Sequence, residues 1–149
     1  MKIKIFNKKG FTLIELLIVI AIIGVLAALL MVNFVGVRQR ARDAQRKSDI
    51  RQIQSALEIY RADSSSYPLS LPGCGLPFSA NGTTYMQKVP CDPLSSGNYI
   101  YTYVSGGGNT TYSLYACLEN VNDSQKDTAN NSSYCSGGST NWSYTVNSP

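Results

Sequence analysis

A chain of 149 residues, 15% charged and with no histidine, has room for one domain and lacks both the commonest general base and the commonest metal-ligating side chain. Its formal charge of +4 is uneven, because Lys2, Lys4, Lys8 and Lys9 all precede Gly10. Beyond Gly10 nine basic side chains face nine acidic ones, so a global nucleic-acid footprint is not supported.

Residues 1–10 are short, polar and basic, and Lys8-Lys9-Gly10 reads as a cutting site. A secretory signal places its apolar region before the cut. Here the glycine precedes the apolar run, which would stay with the mature chain. Residues 11–32 form that run, long enough to span about 30 Å of hydrocarbon as a helix. Glu15 is its only charge. A charge at bilayer depth costs on the order of 3 kcal/mol, so an acid there calls for a function and a cationic partner. A cut after Gly10 would leave an α-amine on Phe11, four residues away.

Helical character continues through residues 33–62. Val37, Ala41, Ala44 and Ser48 repeat at 3–4 spacing, as do Ile50, Ile53, Leu57 and Tyr60, which predicts an apolar stripe on an amphipathic helix. Arg38, Arg42, Asp49 and Arg51 fall off the second stripe and are expected to face water. With Asp63-Ser64-Ser65-Ser66 as the break, residues 11–62 make one helix of roughly 78 Å. Six basic residues lie within 38–51 (Arg38, Arg40, Arg42, Arg46, Lys47, Arg51), a band that suits either anionic headgroups or a solvated helix face.

Residues 63–149 change composition to Gly, Ser, Asn, Thr, Tyr and Pro. Strand-like pieces occur at 84–89, 99–104, 111–118 and 142–146. The second puts Tyr99, Tyr101 and Tyr103 on one face and Ile100, Thr102 and Val104 on the other. Gly106-Gly107-Gly108-Asn109 reads as a hairpin turn. Residues 119–141 read as a long loop with little internal structure. The predicted architecture is α+β, a long N-terminal helix packed on a small antiparallel sheet. Cys74, Cys91, Cys117 and Cys135 allow three pairings, and an even count beyond a membrane span fits disulfides in an oxidising compartment. The sequence-neighbour pairs Cys74–Cys91 and Cys117–Cys135 are preferred, each closing a loop for about 3 kcal/mol. Zinc is disfavoured by the absence of a close Cys pair and of histidine. Asn81, Asn109, Asn131 and Asn141 stand in Asn-x-Ser/Thr triplets and read as turn residues first.

Lys8-Lys9-Gly10 followed by FTLIELLIVIAIIGVLAALL resembles the N-terminus of type IV prepilins and type II secretion pseudopilins, closely over residues 8–36. The resemblance implies cleavage between Gly10 and Phe11 by a prepilin peptidase, N-methylation of Phe11, and a salt bridge between Glu15 and the Phe11 amine of an adjacent subunit. It implies a single-pass inner-membrane protein, its N-terminus inside and residues 63–149 extracytoplasmic, surrounded by lipid before assembly. Its expected partners are pilin subunits in a helical filament and an inner-membrane platform with its ATPase. Counting positive charges on the two sides of the span slightly favours the opposite orientation; the leader and the cysteines decide against it.

The distal match is looser. Residues 56–60 with Tyr67-Pro68 are similar to the end of a pseudopilin stalk. Val89-Pro90-Cys91-Asp92-Pro93 and Asn98-Tyr99-Ile100-Tyr101 resemble the Pro-x-Asp-Pro loop and Tyr-x-Tyr strand of major pseudopilins, with Leu94-Ser95 where tryptophan-glycine is often seen. Val32-Asn33 stands where the family often has proline-asparagine. Major pseudopilins also carry an acidic, glycine-rich calcium loop. Glu119, Asp123 and Asp127, with Asn120 and Asn122, are candidate oxygens, but the glycine pattern is missing, and a polar loop without metal is the preferred reading.

A structural subunit of a pilus or secretion pseudopilus accounts for Glu15 best. A DNA-uptake pilin is an alternative, although the Arg38–Arg51 band would be poorly accessible and no nucleic acid is expected. A membrane-anchored binding module, presenting Tyr112, Tyr115 and Trp142, leaves Glu15 unexplained. Catalysis is not expected: there is no histidine base, no HExxH and no phosphate loop, and the acids are scattered.

Overall fold

The computed structural model describes residues 10–137 and 140–149, the side chains of residues 31–33 excepted. The leader lysines therefore lie outside the described residues, as do the side chains of Val32 and Asn33. The architecture is α+β: α1 (Leu13–Ser64), β1 (Phe78–Ala80), β2 (Thr83–Met86), β3 (Thr102–Gly106), β4 (Thr111–Leu118) and β5 (Trp142–Asn147). The chain divides into two units, Met1–Val37 and Arg38–Pro149.

In the N-terminal unit every residue from 13 to 30 is exposed. The segment Leu13–Leu30 has a mean hydropathy of 3.1 and is long and apolar enough to cross a membrane. It is apolar all round, whereas the surface helix of a globular domain is apolar along one stripe. Such an exposed surface requires a cover of lipid or of other helices.

In the C-terminal unit the sheets are antiparallel, β1-β2 and β3-β4-β5. The core joins Ile50, Ile53, Ala56 and Leu57 of α1 to Tyr112, Leu114, Ala116 and Leu118 of β4, with Tyr67, Phe78, Val89 and Tyr144 around them. Period 3.6 on the helix meets period 2 on the strand, and each large apolar side chain so buried contributes roughly 1.5–3 kcal/mol. The expected stripe is thus present from Ile50 onward. Before Ile50 it is not: Ala41, Ala44 and Ser48 are exposed, and Asp43, Arg46 and Asp49 turn inward. Asp49, expected to face water, is buried and accepts a hydrogen bond from Tyr101 Oη at 2.7 Å. Ala and Ser gain little by burial, whereas a charge whose partners are all supplied by the packed face can be buried.

The strand facing also holds. Tyr101 and Tyr103 reach Asp49 and the Pro68 carbonyl, and Tyr99 lies under Arg46, while Ile100 and Val104 are exposed. Regular pairing in β3 nevertheless begins only at Thr102. β1 lies outside the strand-like pieces of the sequence; it pairs with β2 across Asn81-Gly82, both at positive φ, the signature of a two-residue hairpin. The turn after β3 holds Gly107, Gly108 and Asn109, also at positive φ.

Of the loop over residues 119–141, the described stretch 119–137 is not structureless. Cys135 is bonded to Cys117, and Cys74 to Cys91. Tyr134 stacks on Tyr115 of β4 at 4.3 Å. Asp127 N donates to Ser143 O, while its carboxylate accepts from Thr145 N and Oγ1; Asn130 Oδ1 accepts from Ser143 N. Asp127 and Asn130 thereby engage Ser143 and Thr145 on the outer edge of β5, which would otherwise invite another strand. The aromatic surface expected from Tyr112, Tyr115 and Trp142 is not free. Tyr112 is buried with its hydroxyl on Glu58, and Trp142 donates to the Asp127 carbonyl beneath Lys126. Asn141, too, is buried and accepts from Gly137 N.

Helix α1 ends at Ser64, and Ser65 takes the left-handed conformation at φ 59°, its N–H donating to the Arg61 carbonyl. Ser95 is left-handed too, at φ 47°. A Cβ in that region costs roughly 1–2 kcal/mol, offset in part by the greater unfolded-state freedom of glycine. Ser65→Gly should raise stability by up to about 1 kcal/mol, read as a higher thermal midpoint, whereas Ser95→Gly would also lose the bond from the Ser95 hydroxyl to the Asp92 carbonyl.

Candidate functional site

Two constellations bear on function, one in each unit. At the start of α1, Thr12 caps the helix. Thr12 Oγ1 accepts from Glu15 N at 3.3 Å, and Glu15 Oε2 accepts from Thr12 N at 2.8 Å and Thr12 Oγ1 at 2.6 Å. This reciprocal pattern is a capping box, which satisfies two amides that the helix leaves without partners. Glu15 sits in the first turn, where the helix dipole favours negative charge. All these bonds to its carboxylate fall on Oε2; Oε1 carries none of them. Phe11 is 83% exposed one residue before the cap. A Cβ built on Gly10 meets nothing within 4 Å, so nothing in the described chain requires glycine there.

In the other unit Arg46 is fully buried and donates four hydrogen bonds to three carboxylates. Its Nε donates to Asp92 Oδ2 at 2.7 Å and its Nη2 to Asp92 Oδ1 at 3.0 Å; Nη1 donates to Asp43 Oδ1 and Glu119 Oε1, both at 2.7 Å. Its guanidinium carbon lies 4.6 Å from the centre of the Tyr99 ring. Asp43 in turn accepts from the backbone N–H groups of Glu119 and Asn120. Arg42 forks onto Glu119, and Lys47 holds Asp123 at 2.9 Å. One buried guanidinium thus ties α1 to the 92–95 loop and to the segment after β4. Burial disfavours its charge, but the bonds to Asp92, Glu119 and Asp43 outweigh this and raise its pKa. Half of the basic band therefore reads neither as headgroup contact nor as a solvated face: Arg42, Arg46 and Lys47 engage the domain's own carboxylates.

These pairs set an acid response. Burial pushes Glu119 and Asp123 up, yet the bonds from Arg42 and Arg46, and from Lys47, hold both below the usual carboxylate range. A carboxylate depressed in the fold contributes stability above its unfolded value near 4 and loses it as pH falls through the folded value. Burial raises Asp49, so its protonation acts in the opposite sense and favours the fold. Acidification below about pH 4 should therefore release the 119–127 segment first. The emission of Trp142, the only tryptophan, reports that release; an emission spectrum constant down to the global acid transition would contradict it.

Glu119, Asp123 and Asp127 are not brought together as an ion site. Each is engaged by its own donors, and among the described residues no group of three or more His, Cys, Asp or Glu side chains is placed to hold a metal.

Residues 5–31 match the prokaryotic N-terminal methylation motif, and residues 33–134 match the family described as type II secretion system (T2SS), protein G. The chain belongs to the type II secretion system protein G family. Similar members of that family are the type II secretion system core protein G of Escherichia coli K12, 33% identical over 72% of this chain and 79% of that one, and that of Pseudomonas aeruginosa PAO1, 31% identical over 74% and 82%. The core protein G of Klebsiella michiganensis is 40% identical over 74% and 82%. No solved structure gives a significant match.

Two further features have local signals in the sequence, and a third has none. Thr12-Leu13-Ile14-Glu15 is a Thr-x-x-Glu capping signature directly before an apolar run. Asn81-Gly82 is the strongest two-residue hairpin signal. Arg46 carried no local signal, because its partners Asp92 and Glu119 are distant in sequence and only the fold joins them.

Proposed function

We propose that this protein is a structural, non-enzymatic subunit of a type II secretion pseudopilus, held in the cytoplasmic membrane by residues 11–32 and extracted from it into a helical filament. The family assignment supports this reading; the DNA-uptake pilin and the anchored binding module are not favoured by it. The single observation that carries the assembly mechanism is Glu15 at the first turn of a helix whose apolar surface is exposed from residue 13 to residue 30.

The physical sequence has three steps. A peptidase cuts Gly10–Phe11, converting a neutral amide nitrogen into a cationic α-amine, which is then methylated. In lipid the apolar helix is already solvated, and the capping box gives Glu15 an interim partner. In the filament, helices exchange lipid for one another, and Glu15 pairs with the Phe11 amine of an adjacent subunit. One turn of slip would leave a buried charge unpaired, at a cost of several kcal/mol, so the pair fixes register. Residues 63–149 lie outside the cytoplasm on this reading, where Cys74–Cys91 and Cys117–Cys135 persist. An inner-membrane platform and its ATPase supply the extraction.

Because the chain itself leaves open space around Gly10, its glycine is assigned to the peptidase. Gly10→Leu should leave the leader attached, measured as an unreduced mass of the membrane-bound chain; a normal mature mass would refute the cleavage assignment. Deleting the gene in its own host tests the function: type II cargo should stay within the cell envelope, and undiminished release into the medium would overturn the reading.

A further inference from the structure

We propose that Arg42, Arg46 and Lys47 stand in for a divalent cation, so that the segment resembling a pseudopilin calcium loop is folded by side-chain charge and needs no metal. The donor set is the argument. Calcium requires six to eight oxygen ligands at 2.3–2.6 Å. The three acids nominated by the resemblance have six carboxylate oxygens, and all six already accept bonds. Glu119 Oε1 takes Arg42 Nε at 2.6 Å and Arg46 Nη1 at 2.7 Å, while Oε2 takes Arg42 Nη2. Asp123 Oδ2 takes Lys47 Nζ at 2.9 Å, and Oδ1 takes Gln125 N at 2.8 Å. Asp127 Oδ1 takes Thr145 N and Oδ2 takes Thr145 Oγ1.

The geometry splits the three acids between two tasks. Glu119 and Asp123 face cations spaced along α1, and Asp127 caps the edge of β5. An ion binding Glu119 would displace two arginines, one of them fully buried, and like charge would then face like charge. The segment also has no glycine from residue 119 to 127, so it lacks the sharp turns that wrap backbone carbonyls around an ion. Asp43 adds a contact that no ion could make, since its carboxylate draws in the N–H groups of Glu119 and Asn120.

The test uses the full-length chain in detergent micelles, with calcium or excess EGTA as the only variable. Two readouts serve: the thermal midpoint and the rate of tryptic cutting after Lys126, whose Nζ is held by the Val121 carbonyl and the Trp142 ring. A ligand specific for the folded state must raise the midpoint. Neither readout should differ between calcium and EGTA; a higher midpoint or slower cutting with calcium would overturn the proposal. Lys47→Gln should speed the cut by up to about fivefold in either condition, and Lys47→Arg should restore protection. Unchanged cutting in Lys47→Gln, or protection regained on adding calcium, would also count against it.

Discussion

Glu15→Lys should insert into the membrane and lose its leader as the native chain does, yet yield no filaments. The substitution puts a second cation beside the Phe11 amine, and a buried unpaired charge costs several kcal/mol per subunit contact. Each addition step would then weaken by roughly a hundredfold or more. The capping box makes a sharper control available. Glutamine in place of Glu15 can still close a box with Thr12, since Gln serves at that position as Glu does. Glu15→Gln thus keeps the helix start and removes only the charge. If helix capping were the whole role of this residue, Glu15→Gln would assemble normally and Thr12→Ala would fail as badly as Glu15→Lys. On the pairing account Glu15→Gln fails, with the cleaved monomer accumulating in the membrane fraction.

The second large effect belongs to Arg46. Arg46→Met should destabilise the C-terminal unit by about 3–5 kcal/mol, because it leaves Asp43, Asp92 and Glu119 facing one another without their shared cation. For a domain whose total stability is about 5–15 kcal/mol, that is a large fraction, read as a fall of roughly 10–20 °C in the thermal midpoint. Removing an ion cluster together is a different matter, since well-packed apolar replacements of a buried cluster are often neutral. Arg46→Met combined with Asp92→Leu and Glu119→Leu should therefore recover part of the loss. A single variant with a native midpoint would show that Arg46 is incidental to the fold.

The two halves of the chain differ in how much the sequence disclosed. The apolar run, its acid and the preceding glycine were legible because membrane-spanning length and charge cost act within a few residues. The core stripe Ile50, Ile53 and Leu57 was legible through period 3.6, and the inward facing of Tyr101 and Tyr103 through alternation. One turn earlier the same period misled. Ala41, Ala44 and Ser48 have apolar spacing without apolar bulk, while Asp43, Arg46 and Asp49 are inside because Tyr101, Asp92 and Glu119 arrive from far along the chain. Residues 119–141 looked structureless for a related reason: the order of 119–137 comes from a disulfide, a ring stack and Asp127 bonding to β5, none of which has a periodic signature. For Glu15 the sequence indicated a need for a partner, and the structure adds that Thr12 meets part of that need before any second subunit is present.

The pairing of Glu15 with the Phe11 amine of another copy can be measured by zero-length carbodiimide coupling, which joins an amine to a carboxylate only when the two touch. Filaments grown from a mixture of isotopically light and heavy subunits should give, after digestion, a mixed-isotope product linking residue 11 of one copy to residue 15 of another. The uncut Gly10→Leu chain should give none. Coupling found only within single copies, or no coupling at these residues in intact filaments, would contradict the account.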